Sequence, residues 1–97
     1  MFRHIVLYRL KDRTEEAKLA LKARFLPLQG NVPQVLSLEV GTDVLYSGRS
    51  YDVALVVAFD GKDDLAAYKA HPFHVEVSEY VHSVIEASVC CDYEVDR

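Results

Sequence analysis

Side chains that can transfer protons are concentrated in residues 68–74, whose sequence is YKAHPFH. Tyr68, His71 and His74 lie in this segment, and Tyr80 follows six residues after His74. A histidine with an unperturbed pKa of about 6.5 can act as a general base at neutral pH, and a tyrosine hydroxyl can hold it or polarise a carbonyl. The natural substrate for such a pair is a carbon acid beside a carbonyl group.

His74 is the candidate general base, and the alternative is a structural histidine near a helix start. His71 precedes Pro72 and is biased towards extended backbone, so we expect it to cap the helix that follows or to contact solvent. The spacing of His71 and His74 spans a helix break, and no carboxylate completes a ligand set, so we predict no metal site. Tyr80 fits an apolar helix stripe better than the histidine cluster.

The amino-acid composition limits the classes of protein to which this chain can belong. The chain has 97 residues, 51% of them hydrophobic and 27% charged, with a formal net charge of -4, which is typical of one globular domain over residues 1–97. Basic stripes and apolar runs of roughly 20 residues are absent, so we expect neither nucleic acid nor a membrane as a partner. The N-terminal pattern is not that of a signal peptide, and the adjacent Cys90 and Cys91 are interpreted as free thiols, so a cytoplasmic location is expected.

Four segments have strand patterns: Phe2–Leu10, 35–41, 51–59 and 85–95. The first and third are apolar on both faces, which is typical of central strands in a sheet. Alternation places one set of first-strand residues on the face that we expect to meet the helices: Phe2, His4, Val6, Tyr8 and Leu10. A satisfied core histidine is the alternative to a functional role for His4.

Two helices lie between these strands. The first is predicted from about 14 to 26, with Asp12 or Thr14 as N-cap. The second begins near Asp60 and is broken at Pro72, because proline lacks an amide donor and clashes with the preceding turn.

The resulting order is β-α-β-β-α-β. Packed through right-handed crossovers, it predicts an α+β, ferredoxin-like protomer with a four-stranded antiparallel sheet and both helices on one face. The other face is too apolar to stay uncovered in a monomer, so we expect a homodimer packed sheet to sheet.

Several motifs in order along the chain support a family resemblance. They are HIVL at 4–7, NVP at 31–33, LEVG at 38–41, YDVAL at 51–55, DDLAAY at 63–68, HPFH at 71–74 and DYE at 92–94. Over nearly the whole chain they resemble the stress-responsive A/B barrel family, also called Dabb domains. The resemblance implies a ferredoxin-like protomer and a dimer whose two sheets form an α+β barrel.

The same resemblance bears on chemistry. Most members of the family have no assigned activity, some plant members are linked to stress tolerance, and a few are polyketide cyclases. In the cyclases a pocket lies between sheet and helices, and the matching catalytic pair here is His74 and Tyr68, with His4 on the first strand. Where the cyclases carry a further histidine and a further tyrosine, this chain has Val53 and Phe25.

Two hypotheses follow. One is a non-catalytic homodimer that binds a small apolar or aromatic ligand, or nothing. The other is a cofactor-independent, cyclase-like or lyase-like enzyme acting on a polyketide-like or aromatic carbonyl compound. Neither hypothesis includes a cofactor, and haem-handling α+β barrels rank third because no extra histidine stands at a haem-ligand position. The pocket is expected to be lined by His4, Val6, Tyr8, Phe25, Val53 and Val77.

Overall fold

A computed structural model describes residues 1–95. The elements in chain order are β1 (Phe2–Leu10), α1 (Glu15–Phe25), the single turn α2 (Leu28–Asn31), β2 (Ser37–Thr42), β3 (Val53–Phe59), α3 (Lys62–Ala70), α4 (Pro72–Val84) and β4 (Ile85–Glu94). When α3 and α4 are read as one helix broken before Pro72, this is the predicted β-α-β-β-α-β order.

The strands form one sheet in the order β2-β3-β1-β4, and each neighbouring pair is antiparallel. The two strands that are apolar on both faces, β1 and β3, are the central ones. The predicted ferredoxin-like α+β protomer is therefore confirmed.

Helix starts follow from local side chains. The Thr14 hydroxyl accepts a hydrogen bond from the amide of Ala17 at 3.2 Å and caps α1. Nδ1 of His71 accepts from the amide of Phe73 at 3.1 Å, and Pro72 occupies the first turn of α4. The expected capping role of His71 is confirmed.

The start of β3 differs from its predicted bounds. This strand begins at Val53, and the residue before it, Asp52, has a buried carboxylate. It accepts a hydrogen bond from the amide of Leu10 at 2.8 Å and pairs with the guanidinium of Arg13 at 3.0 Å. This side chain therefore ties the end of β1 and the approach to α1 to the start of β3.

One face of the sheet packs against the helices and forms the core. The even-numbered residues of β1 are all buried there: Phe2, His4, Val6, Tyr8 and Leu10. Leu21 and Phe25 of α1 and Leu28 of α2 pack into the same core. Within residues 1–95 no helix combines the length and the apolar character that crossing a bilayer requires.

Within residues 1–95 no helix packs on the opposite face of the sheet, which is called the outer face below. Leu7 and Val89 are register partners in β1 and β4 on this face, and they are 38% and 50% exposed. Ile5, Ala54 and Val56 extend the same apolar surface and are only half-buried. A protomer alone therefore exposes a contiguous apolar strip across its sheet.

Candidate functional site

His4 faces the helices from β1 and is 7% exposed. Its Nδ1 is hydrogen-bonded to Oδ1 of Asp92, which is its register partner in β4. Because an ionised carboxylate only accepts, Nδ1 donates in this hydrogen bond, and in the neutral imidazole Nε2 is the atom that accepts. The pairing of β1 with β4 thus builds a His–Asp pair from residues 88 positions apart.

Tyr68, near the end of α3, is 1% exposed and lies between two histidines. Its ring centroid is 6.2 Å from that of His4 and 4.3 Å from that of His74. Burial raises the pKa of the Tyr68 hydroxyl far above its ordinary value, so the group is protonated at neutral pH. Among the residues that the structure describes, this hydroxyl has no hydrogen-bond partner.

His74 lies in the first turn of α4 and is half-buried. Its Nδ1 lies 3.3 Å from the backbone carbonyl oxygen of Lys69, at the end of α3. A carbonyl only accepts, so Nδ1 donates and Nε2 is left with its lone pair. Burial lowers the pKa of His74, the hydrogen bond to the carbonyl opposes this, and repulsion from His4, Lys69 and His71 lowers it further. The imidazole is therefore neutral and basic at Nε2 near neutral pH.

A cavity of about 510 Å³, partly open to solvent, lies between β1, β4 and α4. Val6, Tyr8, Phe25 and Val77 contribute apolar surface to it, and the rings of Tyr8 and Phe25 lie 5.2 Å apart. Its polar lining includes His4, Lys69, His74 and Cys90. The cavity therefore combines apolar walls with side chains that can exchange protons.

The structure brings most of the predicted site residues to this cavity. His4, His74 and the apolar group Val6, Tyr8, Phe25 and Val77 all line it. Val53 does not, because β3 is separated from β4 by β1, and its side chain is packed in the core at 2% exposure. Tyr68 is not part of the lining and contacts the rings of His4 and His74 from within the core.

Several residues of this site were not predicted from the sequence, among them Lys69, Cys90 and Asp92. Lys69 and Cys90 line the cavity, and Asp92 pairs with His4. The alternation of β4 contains the signal that could have found the last two. Once β4 is paired with β1, residues 88, 90 and 92 must share the face of His4.

A metal site and a second cleft are the alternatives to this cavity. Within residues 1–95, no group of three or more His, Cys, Asp or Glu side chains is placed to hold a metal ion. A second cleft of about 370 Å³ lies beside the connection between β2 and β3, and it has no histidine in its lining. The cavity at His4 and His74 is therefore the candidate functional site.

Fold and site together define a ferredoxin-like α+β domain with a histidine-lined cavity on the helical side of its sheet. The model of the stress responsive A/B barrel domain family, Dabb, matches residues 2–95. The chain belongs to this family, which confirms the resemblance seen in its motifs.

Similar proteins include a stress-response A/B barrel domain-containing protein from Arabidopsis thaliana. It is 32% identical over 98 residues, which cover 97% of this chain, while the chain spans only 36% of the length of that plant protein. A dimeric protein of unknown function and ferredoxin-like fold from Bacteroides fragilis NCTC 9343 matches with a TM-score of 0.79 at 30% identity, over 97% of this chain and 95% of that chain. A hydroxynitrile lyase from Passiflora edulis matches with a TM-score of 0.84 at 21% identity, over 98% and 93% of the two chains, and shows the shared fold alone.

Proposed function

We propose that this protein is a homodimer in which each protomer binds a small, largely apolar ligand in the cavity at His4 and His74. The observation that carries this proposal is the cavity itself. Its volume of about 510 Å³ falls within the range of small-molecule sites, roughly 300–1,000 Å³. Aromatic and aliphatic walls with a few convergent polar groups are the usual lining of such sites.

The polar groups argue for a ligand that carries a hydrogen-bonding atom. Nε2 of His4 and Nε2 of His74 can each accept, because their Nδ1 atoms already donate to Asp92 and Lys69. Because both Nε2 atoms accept, the matching ligand atom is a donor, and an aromatic hydroxyl compound offers both an apolar ring and an O–H donor.

Phenol is a suitable neutral probe for ligand binding. In a titration followed by ¹⁵N–¹H NMR, we expect saturable shifts at His4, His74 and Cys90. Val77→Phe fills the cavity and should weaken binding about tenfold or more. Leu19→Phe introduces the same phenyl ring on the exposed side of α1 and should leave binding unchanged. Uniform, unsaturable shifts, or equal affinities in the two variants, would refute binding in this cavity.

The dimer is proposed to form by packing of the two outer faces. The support is the exposed apolar strip around Leu7 and Val89, together with the dimeric relative from Bacteroides fragilis. Leu7→Glu should produce monomers in sedimentation velocity at micromolar protein, and Leu19→Glu, an equal change on α1, should not. A wild-type protein that sediments as a monomer at every concentration would exclude the dimer.

A second candidate function is cofactor-independent proton transfer with His74 as general base. The observation that favours it is the hydrogen bond from Nδ1 of His74 to the Lys69 carbonyl, which leaves Nε2 as the basic atom. In this reaction the α-proton of a carbonyl compound moves to Nε2, and the electron pair of the C–H bond becomes an enolate. Tyr68, whose ring centroid lies 4.3 Å from that of His74, is the proposed hydrogen-bond partner in this reaction.

Deuterium exchange tests this reaction without knowledge of the substrate. Acetophenone in D₂O should gain deuterium in its methyl group faster with the protein than with buffer, and His74→Asn should abolish the difference. Equal exchange by wild type and His74→Asn would leave ligand binding as the function.

The proposal also includes a cytoplasmic location. Cys90 and Cys91 are exposed free thiols, and thiols of this kind persist in reducing compartments.

A further inference from the structure

Lys69 is the lysine in the lining of the cavity, and it lies beside His74. Within residues 1–95 its ammonium group forms no ion pair, since the ion pairs of the described chain involve His4, Arg9, Arg13 and Lys18. The side chain is exposed at the end of α3, so its charge is available to a ligand that enters from solvent.

A positively charged side chain lies close to His74. Burial is the main cause of the lowered pKa of His74, and the charge of Lys69 is among the influences that lower it further. The carboxylate of Asp92 is engaged by His4. Among residues 1–95, Glu79 is the one carboxylate in the lining, and it is not among the causes of the lowered pKa of His74. A ligand whose polar end lies next to His74 therefore meets an ammonium group that forms no ion pair within residues 1–95.

We propose that Lys69 makes the cavity selective for a ligand that carries a carboxylate next to its apolar body, such as an aromatic acid. This inference rests on the proposed ligand-binding function. The apolar body packs against Val6, Tyr8 and Phe25, and the carboxylate pairs with the Lys69 ammonium at the mouth of the cavity. A charge pair formed beside low-dielectric walls is stronger than the same pair in open water.

Benzoate and benzamide are a matched pair of probes, because they have nearly the same shape and differ in charge. In NMR titrations at low salt, wild type should bind benzoate about tenfold more tightly than benzamide. Lys69→Ala should abolish this preference, and Lys69→Arg should retain most of it. Lys62→Ala, at the other end of the same helix, is the control and should behave as wild type.

Two further measurements test the electrostatic origin of the preference. Raising the salt concentration should weaken benzoate binding and leave benzamide binding unchanged. Glu79→Gln removes the carboxylate of the lining and should strengthen benzoate binding.

The outcomes distinguish the proposed role of Lys69 from the ligand-binding function on which it rests. Benzamide binding without a preference for benzoate, or a preference that survives in Lys69→Ala, overturns the role of Lys69 and keeps the ligand site. Failure of both probes to bind overturns the role of Lys69 and counts against the cavity as a site for aromatic ligands.

Discussion

The backbone carbonyl oxygen of Lys69 lies 3.3 Å from Nδ1 of His74, across the break between α3 and α4. Because Pro72 lacks an amide donor and starts a new helix, the last carbonyls of α3 are released from the regular helical pattern. One of them is used to orient an imidazole. The helix break therefore both positions His74 and selects the tautomer in which Nε2 is basic.

Replacement of His74 should separate this structural role from a chemical one. His74→Asn keeps a donor near the position of Nδ1, so its melting temperature should stay close to that of wild type. His74→Ala leaves the Lys69 carbonyl without this donor and should cost about 1 kcal/mol, or roughly 4–8 °C in melting temperature. Calorimetry checks both values. If the two variants had the same melting temperature, the hydrogen bond from His74 to the Lys69 carbonyl would have no structural role.

The His4–Asp92 pair should contribute measurably to stability. The side chains are 9% and 29% exposed, so water screens their hydrogen bond less than it would at the surface. We expect a coupling energy of about 1 kcal/mol in a double-mutant cycle of His4→Ala and Asp92→Ala, measured by urea unfolding. Glu94→Ala, on the same face of β4, serves as the control and should change stability by less than about 0.5 kcal/mol. Strict additivity of the two single variants would contradict the pairing.

Asp52 should be among the most sensitive positions for stability. Its buried carboxylate accepts from the amide of Leu10 and from Arg13, so Asp52→Ala leaves a buried donor unpaired and frees a guanidinium. The expected loss is about 2–3 kcal/mol in the free energy of unfolding. Asp60→Ala, at an exposed position, should cost less than about 0.5 kcal/mol. Similar effects at the two positions would show that the Asp52 contacts add little.

Stability should fall at mildly acidic pH in part through His74. Its pKa in the folded protein is lowered below the ordinary value of 6.5, chiefly by burial, so the unfolded chain binds more protons in this window. The contribution to stability is complete above about pH 6.5 and is lost as the pH falls through the folded-state pKa. Urea unfolding between about pH 7.5 and pH 5.5 should show a shallower decrease for His74→Asn than for wild type. Parallel pH profiles would exclude this contribution.

Much of the fold was predictable because its determinants are local. Alternation along β1 identified the buried face, and Thr14 and Pro72 marked helix starts through hydrogen bonds that span only a few residues. His71 was likewise predicted as a cap. Such short-range patterns can be read without knowledge of which strands pair.

The site was only partly predictable, because its remaining members come from distant parts of the chain. The same limit applies outside the site: Lys18 has the sequence pattern of an exposed helix residue, yet it is fully buried and its Nζ donates to the carbonyl of Asp43 at 2.9 Å. Val53 was placed in the pocket by analogy, but the strand order keeps β3 away from the cavity.

The sequence by itself determined the family, the order of elements and the candidate residues His4, Tyr68 and His74. The tertiary structure decided which groups share a space: it paired His4 with Asp92, brought Lys69 and Cys90 to the cavity and left Val53 in the core. The physical reason is that periodicity assigns each side chain to a face of its own element. Distances between elements depend instead on sheet register and on how the helices pack across the sheet.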